Sequence, residues 1–303
     1  MARATPTFVR SSAGTLPAPQ AVLELLKPLT WFAPMWAFGC GVISSGAPLR
    51  DNWLIAVAGI VLAGPMVCAT SQAVNDWFDR HVDAINEPGR PIPSGRIPGR
   101  WGLGIAFTWG ALSLLLGALL GAWVLAATLV ALTLAWIYSA PPLRLKRNGW
   151  WGNTAVAISY EGIAWFTGAA VMLGSLPPLP IILLALLYSL GAHGIMTLND
   201  FKALKGDLRM SVRSLPAQLG VDKAARVACF AMALPQLVVV GLLVYWSYPI
   251  HAAVVAGLLL AQLVLMRKFL ANPRERAPWY NATGTSLYVL GMLASALALS
   301  GAA

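Results

Sequence analysis

The chain has 303 residues, of which 58% are hydrophobic and only 11% charged, with a net charge of +10 and a mean hydropathy of +0.70. Soluble domains carry about 25% charged residues, and one core cannot hide this much apolar surface from water. An ordinary soluble protein and a disordered chain are therefore excluded, and the placement of the basic residues, taken up below, removes nucleic acid as a partner.

Residues 1–24 contain neither an apolar run nor a small-residue cleavage site and read as a mobile tail. A spanning helix needs about 20 mostly apolar residues. Nine stretches qualify: 29–47, 53–74, 101–119, 122–140, 154–174, 179–198, 225–246, 250–267 and 281–301. The expectation is an all-α polytopic membrane protein, with residues 25–303 forming one domain of nine transmembrane helices in a single bundle. Prolines punctuate the pattern. Pro141-Pro142 stops the fourth span, Pro177-Pro178 and Pro180 separate the fifth from the sixth, and Pro249 divides the seventh from the eighth. Gly117 and Gly121 form a small-xxx-small pair suited to close helix packing or a tight turn. Cys40, Cys68 and Cys229 lie in apolar runs and read as small core residues.

Twenty of the 21 Lys and Arg residues fall in the N-terminal segment and in the loops after spans 2, 4, 6 and 8; Arg50 alone follows span 1. Alternate loops of a nine-span protein give this split. The positive-inside rule then sets the N-terminus in the cytoplasm and the C-terminus in the periplasm. The +10 charge is thus an orientation signal.

The loops after spans 2 and 6 are long, about 25 residues, and long loops are uncommon unless they have a task. They also echo each other. Asn75-Asp76-Trp77, Arg90-Pro91-Ile92-Pro93 and Gly95 in the first match Asn199-Asp200-Phe201, Arg213-Ser214-Leu215-Pro216 and Gly220 in the second. The echo suggests a duplicated helix–loop–helix unit with a site between the two loops.

Asp76, Asp79 and Asp83 stand at i, i+3 and i+7, within about 60° on one helical face. Pro88 follows Glu87, and the helix is expected to open there. Asp200 and Asp207 share a face in the second loop. Clustered carboxylates repel unless cations hold them. A ligand set made only of oxygen selects a hard cation, and Mg²⁺ takes a few carboxylates plus substrate phosphates. Arg90 and Arg213 occupy matching positions, and Arg144 and Lys146 follow Tyr138 at the end of span 4. Arg binds phosphate bidentately and Lys adds a point charge. Such a set beside an apolar bundle suits a substrate with a polyanionic head and a greasy tail.

The segment from Asn75-Asp76 through Asp79 to Asp83 resembles the NDxxDxxxD motif of the UbiA superfamily of intramembrane prenyltransferases, and the second loop resembles that family's second Asp-rich motif. Three stretches are similar to the chlorophyll and bacteriochlorophyll synthase branch: residues 83–95, 138–146 and 199–202. Ser159-Tyr160-Glu161-Gly162 and Trp165-Phe166-Thr167-Gly168 are closer to its bacteriochlorophyll members. The chain departs from the wider family at Ala203, where an Asp is usual, and at Lys205, where an acid is common.

The resemblance implies esterification of a chlorophyllide-type tetrapyrrole propionate with a geranylgeranyl or phytyl group from its prenyl diphosphate. On that reading Asp76, Asp79, Asp83, Asp200 and Asp207 hold Mg²⁺. Asp76, Asp200, Arg144 and Lys146 carry the catalysis, while Asn75, Arg90, Tyr138, Asn199, Lys205 and Arg213 bind the diphosphate. For the acceptor, Tyr160, Glu161 and His193 are the candidates. Glu161 is the one acid inside a predicted span; the alternative for it is a polar group satisfied by neighbouring helices through Asn153 or Tyr160. His193 either ligates the central Mg of the chlorin ring, hydrogen-bonds the diphosphate, or is a core histidine. The implied setting is the inner membrane of a photosynthetic bacterium, among membrane lipid and other pigment-pathway membrane proteins, with the site facing the cytoplasm. A prenyltransferase for a quinone or haem acceptor, and a pigment or lipid carrier without chemistry, are the alternatives.

Overall fold

The computed structural model describes residues 16–301; Arg3 and Arg10 of the charge pattern, and residues 1–15 of the expected tail, lie outside them. The described residues are helical throughout apart from turns and one isolated parallel bridge between Asn148 and Arg213.

Overlapping the end of the expected tail, Pro19–Leu26 forms a short helix, α1, that buries Ala21, Leu25 and Leu26. A 3₁₀ turn, Pro28–Trp31, leads into α2, Phe32–Ser44. Helices α3 (Leu49–Val61) and α4 (Ala69–Asn86) are joined by a π-helical turn, Leu62–Cys68, that contains Pro65. Proline lacks the N–H of the regular ladder, and a wide turn absorbs the loss. Then come α5 (Trp101–Leu120), α6 (Ala122–Ser139) and α7 (Gly149–Ala157). A second π-turn, Ile158–Ile163, joins α7 to α8 (Ala164–Leu173). The chain ends with α9 (Leu179–Arg209), the short α10 (Leu215–Leu219), α11 (Val221–Tyr245), α12 (Pro249–Ala271) and α13 (Pro273–Ser300).

Eight of these helical stretches are long and apolar enough to cross a membrane. The remaining expected span, 29–47, holds the shorter helix α2. Its 13 residues reach only about 20 Å at 1.5 Å per residue, against about 30 Å of hydrocarbon. Pro28 and Pro34 crowd its entry, and Gly46, in the left-handed region at φ 69°, ends the turn beyond it.

The two long loops begin alike, as helix: α4 runs without a break to Asn86 and α9 to Arg209. No proline interrupts 75–86 or 199–209, so hydrogen bonding continues past the apolar stretch. α4 stops at Glu87, φ −140°, just before Pro88. At the turn between α5 and α6, Gly121 adopts φ 128° and Gly117 packs against Thr128.

The charged segments converge at one end of the bundle. Lys27, before α2, pairs with Asp76 of α4 at 2.6 Å. Arg144, after α6, pairs with Asp79 at 3.0 Å. Backbone bonds from Gly149 to Arg213 (2.7 Å) and from Arg213 to Arg147 (2.9 Å) stitch the segment after α6 to that after α9. The main core lies among α2, α8, α9, α11, α12 and α13, where Trp165 stacks on Tyr188 at 5.6 Å and Tyr188 meets Tyr288 edge-on. Exposed Leu119, Phe107, Phe230 and Ile250 face outward, as a lipid-facing surface requires.

Candidate functional site

Helix α4 presents Asp76, Asp79 and Asp83 on the face that its spacing dictates, and each carboxylate has a cation. Asp76, only 2% exposed, receives Lys27 at 2.6 Å and Arg90 at 3.5 Å. Asp83 receives Arg90 at 2.9 Å, and Arg90 also forks onto Glu87. Asp79 receives Arg144 at 3.0 Å and Lys146 at 2.6 Å. Lys146 spans to Asn75 Oδ1 at 2.9 Å, which also accepts from the Ser139 hydroxyl at 3.3 Å. Burial pushes the Lys146 ammonium below its usual value, while the Asp79 carboxylate opposes that shift.

Lys27 and Arg144 are non-glycine residues in the left-handed region, at φ 49° and 43°. Such conformations cost about 1 kcal/mol or more and persist where surrounding structure over-determines them. Both occur at residues whose side chains reach the carboxylates of α4.

The second half is sparser. Asp200 accepts from Asn153 Nδ2 at 3.0 Å, and Asn199 Oδ1 accepts from Asn281 of α13 at 3.1 Å. Asp207 is buried near the end of α9. Lys205 and Arg213 are exposed, and the Arg213 side chain forms no ion pair among the described residues.

A cavity of about 520 Å³ separates the halves. Asn75, Tyr138, Asn153, Asn199 and Asp200 give it a polar end, and Ala63, Val67, Ala131, Leu134, Val156 and Phe32 line it with apolar groups. A polar band formed by Cys68, Ser71, Gln72 and Tyr160 interrupts the apolar lining. There the Tyr160 hydroxyl accepts from Gln72 Nε2 at 3.0 Å and from the Cys68 thiol at 3.4 Å. Five residues singled out from the sequence therefore line the cavity: Asn75, Tyr138, Tyr160, Asn199 and Asp200.

Glu161 and His193 are not among the lining residues. Glu161 sits in the second π-turn, 6% exposed, with Oε2 unpartnered. The neighbours expected to satisfy it are engaged elsewhere, Asn153 with Asp200 and Tyr160 with Gln72. His193 stacks on Trp150 at 5.7 Å and shares Nδ1 with Thr154 at 3.1 Å.

Sequence reasoning did not place Lys27, Asn153, Gln72 or Asn281 in the site. Lys27 carried one usable signal, a lone cation at the mouth of the first apolar stretch. The others lie inside spans, where an amide has no spacing partner to reveal it.

The donors fit a hard cation. They are carboxylate and amide oxygens, and Asp76 Oδ2 is buried with no hydrogen-bond partner. No three acidic, His or Cys side chains converge tightly enough to make a closed metal site among the described residues. Substrate oxygens would have to complete the coordination, as Mg²⁺ commonly requires.

Fold and site together define a polytopic helical protein built to hold an amphiphile with an anionic head at one membrane face. The chain belongs to the UbiA prenyltransferase family, whose model matches residues 29–299. It is 55% identical over 287 residues to the bacteriochlorophyll synthase 33 kDa chain of Cereibacter sphaeroides, with 95% of each chain covered. It is 48% identical to the bacteriochlorophyll synthase 34 kDa chain of Chloroflexus aurantiacus, covering 92% of this chain and 89% of the other. Among solved structures, a UbiA homolog from Archaeoglobus fulgidus bound to DMAPP and Mg²⁺ superposes with a TM-score of 0.72, covering 93% of this chain and 100% of that one. At 19% identity that likeness establishes the fold.

Proposed function

We propose that the chain transfers a geranylgeranyl or phytyl group from its diphosphate to the propionate of bacteriochlorophyllide, forming an ester at the cytoplasmic face of the inner membrane. One observation carries this: the 520 Å³ cavity joins a polar end, with an Asn from each echoing segment, to an apolar body. The 55% identity to a bacteriochlorophyll synthase chain supports the acceptor. The convergence of the basic segments at one end supports the cytoplasmic orientation. On this topology the segment 28–48, short as its helix is, makes a ninth crossing within the single domain 25–303.

The diphosphate lies at the polar end, its tail in the apolar body. Asn75, Tyr138 and Asn199 face it, with Arg90, Arg144, Lys146 and Arg213 supplying positive charge and Lys205 adding more from the exposed side of the second loop. Asp76, Asp79 and Asp83 from one helix and Asp200 and Asp207 from the other would hold Mg²⁺. When bound, Mg²⁺ supplies charge stabilisation to the departing diphosphate. The allylic C–O bond breaks with its electron pair leaving on the diphosphate, and a propionate oxygen forms the new C–O bond. That carboxylate is ionised at neutral pH, so no strong base is needed. The apolar walls keep water from quenching the allylic cation. Tyr160 donates to the acceptor from the band within the cavity, and Glu161 and His193 shape its surroundings.

The test is incubation of purified protein with bacteriochlorophyllide, geranylgeranyl diphosphate and Mg²⁺. The expected product is a more hydrophobic pigment with an unchanged absorption spectrum. No such pigment, or prenylation of a quinone precursor in its place, overturns the reading.

A further inference from the structure

The cations at the charged end of the bundle fall into two groups. Lys27, Arg90, Arg96, Arg144 and Lys146, around α4, each pair with a carboxylate. Lys223, Arg226, Arg267, Lys268, Arg274 and Arg276, at the same end of α11, α12 and α13, are all exposed and form no ion pair among the described residues. Two exposed acids share that end, Asp222 and Glu275, and Glu275 accepts from Asn272 at 2.6 Å. On α11, Arg226, Phe230, Leu234 and Leu237 recur at three- and four-residue spacing on one exposed face. On α12, Leu260, Leu263, Val264, Arg267 and Lys268 do the same. In each helix the apolar stripe meets hydrocarbon, and the cations follow it one turn further on, at headgroup depth. The two helices are neighbours, since Gln236 and Gln262 exchange hydrogen bonds across their buried seam at 3.2 and 2.9 Å. Arg226 is as far from the hairpin turn along α11 as Lys268 is along α12, so both end at one depth to within about a turn. Helix α13 adds a third arm, because Arg276 donates to the Lys268 carbonyl at 2.7 Å.

We propose that the charged end of the α11–α12 seam binds the phosphate of an anionic phospholipid, held by Arg226, Arg267 and Lys268 with Arg276 beside them, while the acyl chains lie along the two exposed apolar stripes. Arg forks onto phosphate and Lys adds a point charge. Basic pockets between membrane helices are suited to anionic headgroups. A phospholipid satisfies the cations and the apolar faces together, whereas a soluble acidic protein would meet only the cations. Lys202 and Arg209 on α9 show the contrast. They too are exposed without ion pairs among the described residues, but the face below Lys202 holds the buried Ile195 and Leu198, so no acyl chain can lie beneath them. The site is separate from the cavity and does not depend on the reaction proposed for it.

The test titrates the purified full-length protein in detergent with phosphatidylglycerol, phosphatidylcholine or inorganic phosphate and counts bound lipid by native mass spectrometry. The native protein is expected to hold phosphatidylglycerol about tenfold or more tightly than phosphatidylcholine. Arg226→Gln combined with Arg267→Gln should weaken phosphatidylglycerol binding by about thirtyfold and leave phosphatidylcholine unchanged. Lys202→Gln combined with Arg209→Gln removes the same charge and should change it by less than about threefold. Arg226→Lys combined with Arg267→Lys keeps the charge and should keep most of the binding. Thermal melting without lipid, expected at the native value for these exposed positions, checks that each variant is folded, and the Lys pair carries the comparison if the Gln pair is not. Equal losses in the two Gln pairs overturn the proposal, because net charge alone would then explain them. So does a native protein that does not distinguish phosphatidylglycerol from phosphatidylcholine, which would leave the cluster to an acidic protein surface. Inorganic phosphate binding as tightly as phosphatidylglycerol overturns it as well, since the apolar stripes would then contribute nothing.

Discussion

Lys27 Nζ lies 2.6 Å from Asp76 Oδ1, so the residue that caps the short α1 neutralises a carboxylate only 2% exposed on α4. Among the described residues the remaining cation near Asp76 is Arg90, at a long 3.5 Å. Breaking one side of a fully buried pair costs about 3–5 kcal/mol. Lys27 is partly exposed and Arg90 remains, so Lys27→Met is expected to cost about 1–2 kcal/mol. Thermal melting in detergent without metal measures this loss. Mg²⁺ is expected to restore more of the melting temperature in the variant than it adds to the native protein, because the cation takes the place of the missing ammonium. A melting temperature equal to the native value contradicts this account.

Asp76→Asn and Asp200→Asn keep the shape of the side chain and remove its charge. Each is expected to lower turnover at least a hundredfold, on the order of the loss when one element of transition-state charge stabilisation is removed. Melting should change little for Asp200→Asn, since Asn153 can still donate to the side-chain oxygen that it meets at 3.0 Å in the native chain. Chelating Mg²⁺ is expected to weaken prenyl diphosphate binding in the native protein and far less in either variant. Full activity of both variants with Mg²⁺ present would remove the carboxylates from the mechanism.

Much of this arrangement was legible in the residues because periodicity encodes faces. The i, i+3, i+7 spacing put Asp76, Asp79 and Asp83 on one side of a helix, and the echo of Asn75-Asp76 in Asn199-Asp200 pointed to a site with two halves. Length was read less well. Apolarity ends near residues 74 and 198, but hydrogen bonding does not, so α4 and α9 carry the acids on rigid extensions beyond the apolar spans. Long-range partners were beyond reach: nothing local tells Lys27 that it will meet Asp76, 49 residues away. Charge alone does not reveal burial. Lys205 and Arg213 carry the same sign as Lys146, yet they are exposed, while Lys146 is drawn in by Asp79 and Asn75.

Glu24 ties α1 to the segment after α4. Arg96 forks onto its carboxylate at 2.5 and 2.8 Å and also donates to the Gly89 carbonyl at 2.6 Å. These bonds from Arg96 hold the Glu24 carboxyl below its ordinary value of 4.5. A carboxylate whose folded pKa is depressed contributes its stabilisation above the unfolded value and loses it as pH falls through the folded one. The clamp is therefore expected to be intact at neutral pH and to open only in acid, below the ordinary glutamate value. Proteolysis between residues 16 and 31 reports it: cleavage should be faster in Glu24→Gln at pH 7 than in the native chain, and the two rates should converge in acid. Equal rates at pH 7 would show that apolar packing of Leu25 and Leu26 holds α1 unaided.

Helices α2 and α8 pack backbone to backbone through two glycines. A Cβ at Gly168 would run into the carbonyl oxygen of Phe38, and one at Gly41 into that of Trp165. Neither obstacle is a flexible side chain, so the helices must separate to admit a methyl group. Gly41→Ala and Gly168→Ala are each expected to destabilise the protein by about 1–3 kcal/mol. The double variant should cost less than their sum, because one separation relieves both clashes. Gly39 supplies the control: it lies on the same helix with nothing within 4 Å of an added Cβ. Gly39→Ala should be neutral or stabilising by up to about 1 kcal/mol, through helix propensity. Thermal melting of the four variants decides the matter. If Gly39→Ala falls as far as the other two, the effect belongs to α2 as a whole and not to its seam with α8.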